Sequence, residues 1–469
     1  MAQLTEEQKV AINSYGDSIV SFKSDVEAIR ATLGMYISHK GNLGLLTLIR
    51  EIFQNSTDQL STPESPCDLV KVEYNEKTLE TTIIDNGLGI PFDDMIRIYT
   101  KNHTSGNYIK KKGEYKSSTH GIGSKAANAL SSVFIVESYR YDGEARKIEM
   151  HEGVPVSKEP MKIPNPNKFQ GTKVYFIPSE EVLGEIDLKW TSVYNTVRNI
   201  TTLTPIGSKI EFTAIDRNGD VHKENIVNND GMMYFIIKNT KSPIIAPIRV
   251  FDDTGEMMLD ALITWDAAAL TEPSMDVSYV SYCNFSQQIA QDSKNITGTL
   301  KGITTWICDY MNKIYLANSR SKTKIIPNDV KTGLSVVINS GVLEPVFGGQ
   351  AKETLTNEEM DPFCKDVVMR GMDEWSKSNP ADLQKVAKFI YSIAQVRERA
   401  DKEKVKISAS YESSAFSGLP AKYSKPTGKD HLELFICEGD SAKSPIVKCR
   451  DTTHQGKRIK IQMPHTIAI

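Results

Sequence analysis

The sequence predicts a multidomain mixed α/β (α+β) protein, and three observations carry that prediction. Its 469 residues exceed what one hydrophobic core organises, so two to four domains are expected. Strand-like alternation, as in Val70-Lys71-Val72-Glu73-Tyr74, recurs between segments of helical period, such as Leu45, Leu48, Ile49, Ile52 and Phe53. Short polar turns separate neighbouring strands, which predicts a hairpin-rich, largely antiparallel sheet.

Taken in order, residues 1–25 read as a polar arm, and Ala28 to Ile37 as a helix closed by Gly34. The stripe Leu45–Phe53 predicts an amphipathic helix, and Val70–Tyr74 with Leu79–Ile84 a hairpin. Further strands are expected at Val133–Tyr141, Lys147–Met150 and Gly171–Pro178, then a helix at Trp190–Leu203 and a strand at Lys209–Ala214. Beyond residue 229 strands dominate: Met233–Ile237, Pro247–Phe251, Met258–Trp265 and Val277–Cys283, followed by a helix at Gly298–Tyr310. Pro362–Lys406 is helical and increasingly charged. Ser408–Lys429 reads as a linker, and Leu432–Cys437 as a last strand. The expected domains are therefore 1–25, 26–228, 229–406, a linker at 407–430 and a final segment at 431–469.

Composition excludes several classes. A formal net charge of −3 gives the whole molecule no field attractive to nucleic acid, so such contacts must rest on local basic patches. The six cysteines are dispersed without a CxxC pair, and the histidines do not cluster with them, so neither a disulfide framework nor a zinc site is expected. The polar start lacks a signal-type apolar core, and no apolar run approaches the ~18 residues of a membrane span. A cytoplasmic location is expected.

Four stretches carry chemistry. Glu51, Asn55 and Asp58 stack on one helix face, where a carboxylate and an amide one turn apart can activate a water and hold Mg²⁺; a solvated polar face would look the same. Asp85-Asn86-Gly87-Leu88-Gly89-Ile90-Pro91 follows a strand, so Asp85 can accept from an exocyclic amine such as adenine's, although Asp, Asn and Gly also make plain turns. Residues 100–118 read as a mobile loop containing Lys110-Lys111-Lys112, either a solvated run or a cover over phosphates. The loop ends in His120-Gly121-Ile122-Gly123 before an Ala-rich helix, an arrangement suited to phosphate but matching neither a P-loop nor a Rossmann fingerprint. Finally, Glu438-Gly439-Asp440 at a strand's end suits Mg²⁺, and equally a turn.

In order along the chain, these stretches resemble the ATPase (B-type) subunits of type IIA DNA topoisomerases, the gyrase B and topoisomerase IV B kind. Ala28-Ile29-Arg30 to Gly34-Met35-Tyr36-Ile37 is similar to the family's IRxRPGMYIG segment, with Leu33 in place of proline. Glu51/Asn55/Asp58 resembles the N-box of the GHKL ATPases, Asp85–Pro91 the DxGxGIP box, His120–Gly123 with Asn128-Ala129-Leu130 the HGVG…NAL box, and Gly171-Thr172 the GT box. Pro327-Asn328-Asp329-Val330 to Gly333-Leu334 and Phe347-Gly348-Gly349-Gln350-Ala351-Lys352 are similar to the DVREGL and FEGQTK segments of the transducer. Glu438-Gly439-Asp440-Ser441-Ala442 resembles the opening of a TOPRIM domain.

The resemblance implies a GHKL Bergerat-type ATP-binding sandwich, then a transducer domain of the ribosomal-protein-domain type, then an incomplete TOPRIM segment. It implies Glu51 as general base and Asn55 as the protein ligand of Mg²⁺ bound with ATP. Asp85, supported by Thr172, would take the adenine amine. Gly87, Gly89, Ile90, Pro91, His120, Gly121, Ile122 and Gly123 would line the nucleotide, and Lys352 with Gln350 would reach the γ-phosphate from the second domain. Glu438 would belong to a TOPRIM Mg²⁺ site lacking its DxD partners. The implied partners are double-stranded DNA, a tyrosine-bearing A-type cleavage subunit, a chain completing the TOPRIM fold, and a second copy joined on ATP binding.

Two departures stand out: Leu88 replaces the arginine of the DGRGIP form, and His103-Thr104-Ser105-Gly106-Asn107-Tyr108 lacks the lysine of the family's HAGGKF loop. Lys110, Lys111 and Lys112 are the candidate substitutes. Such departures mark a divergent member, of the kind expected from a phage or mobile element. Two other readings are a MutL- or Hsp90-like ATP-driven clamp, against which the EGDSA stretch argues, and a truncated B-like chain that regulates or inhibits a topoisomerase.

Overall fold

The apolar stripe Leu45, Leu48, Ile49, Ile52 and Phe53 is wholly buried, and each side chain contributes about 1.5–3 kcal/mol by leaving water. The computed structural model describes residues 22, 24–37, 39–101, 111–116, 121–272, 274–317, 323–349 and 352–417, together with short strands at 435–437, 453–454, 457–458 and 466–468. The chain divides into two units, Met1–Ala394 and Gln395–Ile469.

In the first unit, helix α1 (Asp25–Ala31) precedes α2 (Gly41–Ser61), which carries the stripe. Strands β1 (Leu69–Asn75) and β2 (Thr81–Asp85) form the expected hairpin. Helices α3 (Met95–Thr100) and α4 (Gly123–Ala129) lead to β3 (Ser131–Tyr139) and β4 (Ala145–His151). Short strands β5 (Val154–Pro155) and β6 (Met161–Lys162) precede β7 (Gly171–Pro178). Helices α5 (Glu180–Leu183) and α6 (Trp190–Thr201) then lead into β8 (Lys209–Ile215) and β9 (Val221–Val227). These strands make one sheet in the order β5-β4-β3-β7-β2-β1-β8-β9, with β6 beside β4. Only the β1–β8 pair is parallel among them. Helices α2 and α6 pack against this sheet and against each other.

A second sheet follows helix α7 (Met233–Asn239). It contains β10 (Ile248–Asp253), β11 (Met257–Trp265), β12 (Ser278–Cys283), β13 (Ser286–Gln287) and, after helices α8 (Lys294–Tyr310) and α9 (Pro327–Lys331), β14 (Leu334–Val342). Its order is β10-β11-β14-β12-β13. Helix α10 (Met360–Ser378) packs on α8, and α11 runs from Pro380 to Ser417. Trp265, Ile303, Val336 and Val368 lie at the centre of this second core. In the second unit, β15 (Phe435–Cys437), β16 (Thr453–His454), β17 (Lys457–Arg458) and β18 (Thr466–Ala468) form two small ladders, β15–β18 parallel and β16–β17 antiparallel.

Four expectations are corrected. Met233–Ile237 is helical, because Phe235 and Ile236 bury together beside Met232, a helical i, i+3, i+4 set within an apolar run that suits either period. The helix expected through Ile37 stops at Ala31, where Thr32 leaves helical geometry and bonds the Ala28 carbonyl through its hydroxyl. β9 escaped notice because it is a polar edge strand with one buried residue, Ile226. Helix α11 continues to Ser417, well into the stretch read as linker, since the first helix-breaking residues there are Gly418 and Pro420.

Candidate active site

Helix α2 turns Asn55 and Asp58 toward the space beside Asp85 at the end of β2, and Glu51 toward Gly123, while its apolar stripe faces the core. A cavity of about 280 Å³ opens there, lined by Asn55, Asp58, Asp85, Gly89, Ile90, Pro91, Gly121 and Thr172 among others. Thus the sequence segments centred on residues 55, 89, 121 and 172, far apart in the chain, meet around one space.

Asp85 is the last residue of β2, 5% exposed, and both its carboxylate oxygens are engaged. Ser56 Oγ donates to Oδ2 at 2.9 Å, and the Gly87 N–H donates to Oδ1 at 3.0 Å. Burial pushes the Asp85 carboxyl up to about 6, against the lowering effect of bonds from Ser56, the Gly87 backbone and the Thr172 backbone. Thr172 lies directly opposite Asp85 in the β2–β7 register. Gly171 is required beside it: with φ at +136°, a Cβ there would fall 1.9 Å from the Asp85 carbonyl oxygen. The turn chemistry falls to the next residue, since Asn86 Oδ1 accepts the N–H groups of Asp68 and Leu69, both at 3.1 Å. Ile90 is fixed by Ser138, whose hydroxyl both accepts from its N–H and donates to its carbonyl. Leu88 is exposed, and its N–H is held by Gln59 Oε1 at 3.3 Å.

On α2, Asn55 Nδ2 donates to Ser124 Oγ at 3.0 Å, which leaves its side-chain oxygen available as an acceptor. Glu51 packs on Gly123 so closely that a Cβ there would fall 2.0 Å from Glu51 Oε2. A Gly123→Ala substitution should therefore displace the Glu51 carboxylate.

From the loop that follows β14, Lys352 reaches the same carboxylate, its Nζ lying 3.2 and 3.4 Å from the two Glu51 oxygens. Both side chains are buried. Lys352 holds a left-handed backbone, φ +57°, and its carbonyl accepts from Gln288 Nε2 at 2.7 Å, so the loop delivering it is anchored.

Gln350, His120 and Glu438 lie outside the described residues, as do Lys110 and the 103–108 stretch. Neither Lys111 nor Lys112 lines the cavity; they pair with Glu64 and Glu114, and with Glu256. The cavity lysines are instead Lys116 and Lys125, which the sequence reading passed over. Lys125 is buried, its ammonium donates to the Gly121 carbonyl, and burial draws it down to about 8 against the raising effect of Asp25. Its signal was available: a lysine two residues after Gly121-Ile122-Gly123 on a short helix. Among the described residues no group of three His, Cys, Asp or Glu side chains converges on a metal-sized space, so a cation here would draw on Asn55 and on oxygens of its ligand. Nor is any helix among them long and apolar enough to cross a membrane.

Comparison with known proteins agrees with this geometry. Residues 45–173 match the family of histidine kinase-, DNA gyrase B- and HSP90-like ATPases, and residues 232–406 match the DNA gyrase B family. The DNA gyrase B protein of Rickettsia bellii is 27% identical over 474 residues, covering 97% of this chain and 55% of the relative. That of Borreliella burgdorferi is 29% identical over 454 residues, covering 92% and 67%. The chain thus spans little more than half the length of several curated relatives it matches. Among solved structures, the 43K ATPase domain of Thermus thermophilus gyrase B, in complex with an aminocoumarin, aligns with TM-score 0.63 at 22% identity, over 81% of this chain and 98% of that one. The topoisomerase IV ATP-binding domain of Francisella tularensis aligns with TM-score 0.60 at 25% identity, over 80% and 98%. The chain is therefore gyrase B-like, its GHKL-type ATPase fold followed by a region that matches the DNA gyrase B family.

Proposed function

We propose that this chain binds and hydrolyses ATP as the ATPase subunit of a type II DNA topoisomerase. The observation that carries the proposal is the meeting of Lys352, from the loop that follows β14, with Glu51 on α2, four residues before Asn55, which lines the cavity with Asp85. In this reading the adenine amine donates to Asp85, with Gly87, Gly89, Ile90 and Pro91 beside the base and Thr172 behind the carboxylate. Gly121, Ile122 and Gly123, with His120, surround the phosphates. Asn55 would hold Mg²⁺ through its carbonyl oxygen, and the ion would neutralise phosphate charge.

Glu51 is the general base. The terminal phosphate carries more charge than a carboxylate and competes for the Lys352 ammonium, with Gln350 alongside. Drawing Lys352 onto phosphate frees Glu51 to take a proton from the attacking water, and ties the second domain to the nucleotide state. On this proposal residues 26–228 form the ATPase domain, 229–406 the transducer and 431–469 the start of a TOPRIM segment bearing Glu438. Residues 1–25, most of which lie outside the described residues, would join a second copy when ATP is bound. Duplex DNA and a tyrosine-bearing A-type subunit complete the assembly.

The test is hydrolysis of ATP with Mg²⁺ by the purified chain and its Lys352→Ala variant. Turnover should fall about tenfold in the variant, while the Kd for ADP, which lacks the terminal phosphate, changes less than about threefold. Equal turnover by both proteins would remove Lys352 from the mechanism. Relaxation of supercoiled DNA should require ATP and an added A-type subunit.

A further inference from the structure

The second sheet grips the first domain at a place that the reaction scheme above does not use. Tyr115 lies in the described segment 111–116, next to Lys116, which lines the 280 Å³ cavity. Its ring lies against the backbone of Gly341 in β14, where a Cβ would fall 2.3, 2.6 and 2.7 Å from three ring carbons. Its hydroxyl donates to Asp253 Oδ1 at 2.5 Å, at the end of β10. The β10–β11 turn takes two more contacts from the same segment. The Gly113 N–H donates to the Gly255 carbonyl at 2.9 Å, and the Lys112 ammonium lies 2.9 Å from the Glu256 carboxylate.

The β12–β13 turn grips the other end of the segment. Asn284 Nδ2 donates to the Lys116 carbonyl at 3.2 Å, and the same side-chain amide is doubly bonded to the backbone of Val342 at 2.9 Å. In that turn, Phe285 presents its carbonyl to Gln54 Nε2 at 2.8 Å, one residue before Asn55 on α2. Segment 111–116 has neither helix nor strand of its own, so its backbone is located largely by what it docks on. A flexible lysine side chain contributes at a fixed point only when its backbone is held.

We propose that Tyr115 is a positioning residue: seated on Gly341 and Asp253, it lets the second sheet fix Lys116 at the cavity rim and signals cavity occupancy to the β10–β11 turn independently of Lys352. This rests on the cavity being the ATP site. A nucleotide that draws on Lys116 shifts the balance of the docked segment, and the turn senses that shift through Tyr115.

The test is hydrogen exchange of the Asp253–Glu256 amides in the full chain, with and without a non-hydrolysable ATP analogue, alongside ATP kinetics. The wild-type turn should gain protection with analogue. Gly341→Ala, which pushes the ring off its seat, should abolish that gain and raise KM for ATP about fivefold, with kcat within about twofold. Tyr115→Ala, which adds no atom to β14, should do the same. Tyr115→Phe, which keeps the ring on Gly341 but loses the bond to Asp253, should hold KM near wild type while losing most of the gain, and Lys352→Ala should retain the gain. A full response in Gly341→Ala or Tyr115→Ala overturns the inference. So does an analogue that binds wild type without altering the turn, which leaves the ATP-site reading standing. An analogue that fails to bind wild type removes both.

Discussion

Glu51→Gln is expected to lower ATP turnover roughly 10²–10⁴-fold, the range contributed by a positioned general base, while nucleotide affinity changes less than about threefold. Glutamine is nearly isosteric, so it should keep the packing on Gly123 and still offer Lys352 an acceptor at the 3.2 Å contact. What it loses is the ability to take a proton. Truncation to alanine is a poorer test, because it leaves the buried Lys352 ammonium without this carboxylate, and removing one partner of a buried ion pair typically costs about 3–5 kcal/mol. Activity and stability would then fall together. The measurement is a coupled hydrolysis assay with calorimetric Kd and a thermal melt on the same preparation. Turnover above about a tenth of wild type, with affinity and melting intact, would assign proton removal to another group.

The ends of the site were legible in the sequence, and its middle was not. Glu51, Asn55 and Asp85 could be read because helical spacing and a strand-then-glycine turn fix their positions locally. The structure places Asn55 and Asp85 on one cavity and Glu51 beside it, against Gly123 and Lys352. Ser56 could not be read, since its partner Asp85 becomes its neighbour only when α2 crosses β2. Lys125 carried a signal in its place two residues after Gly123, but what sets it apart is burial, which spacing does not report. In the conspicuous lysine run at 110–112, Lys111 and Lys112 pair with acidic groups and do not line the cavity, while Lys110 lies outside the described residues. In the fold, the strands with one buried face were predicted well. β9, with almost no buried face, was missed, and the apolar run at Met232–Ile237 was assigned the wrong period.

Asp85→Asn should weaken nucleotide binding about 10–100-fold and, at neutral pH, make the protein more stable. Both effects follow from the same carboxylate. Its oxygens accept from Ser56 Oγ and from the Gly87 N–H. An asparagine can satisfy both only by turning its oxygen to Gly87 and its NH₂ to the Ser56 hydroxyl, so a donor replaces the acceptor that an adenine amine would meet. Losing a hydrogen bond to a charged, buried group costs about 1.5–3 kcal/mol, which is the stated range in Kd. For stability the sign is the reverse. Burial raises the folded-state pKa to about 6 from the ordinary 3.8, so between those values the folded chain holds a proton that the unfolded chain has released. The carboxyl's contribution is therefore most favourable below about pH 4 and is lost as pH rises through about 6, by roughly 3 kcal/mol. Asparagine does not titrate, so the variant's advantage should appear at pH 7 and vanish near pH 4. Wild-type nucleotide affinity should also rise between pH 5 and 7 as the carboxylate ionises, and that slope should be absent in the variant. Denaturant unfolding and calorimetry at pH 4, 5.5 and 7 check both halves. A variant that binds nucleotide like wild type at pH 7 would place the base elsewhere, whatever its stability.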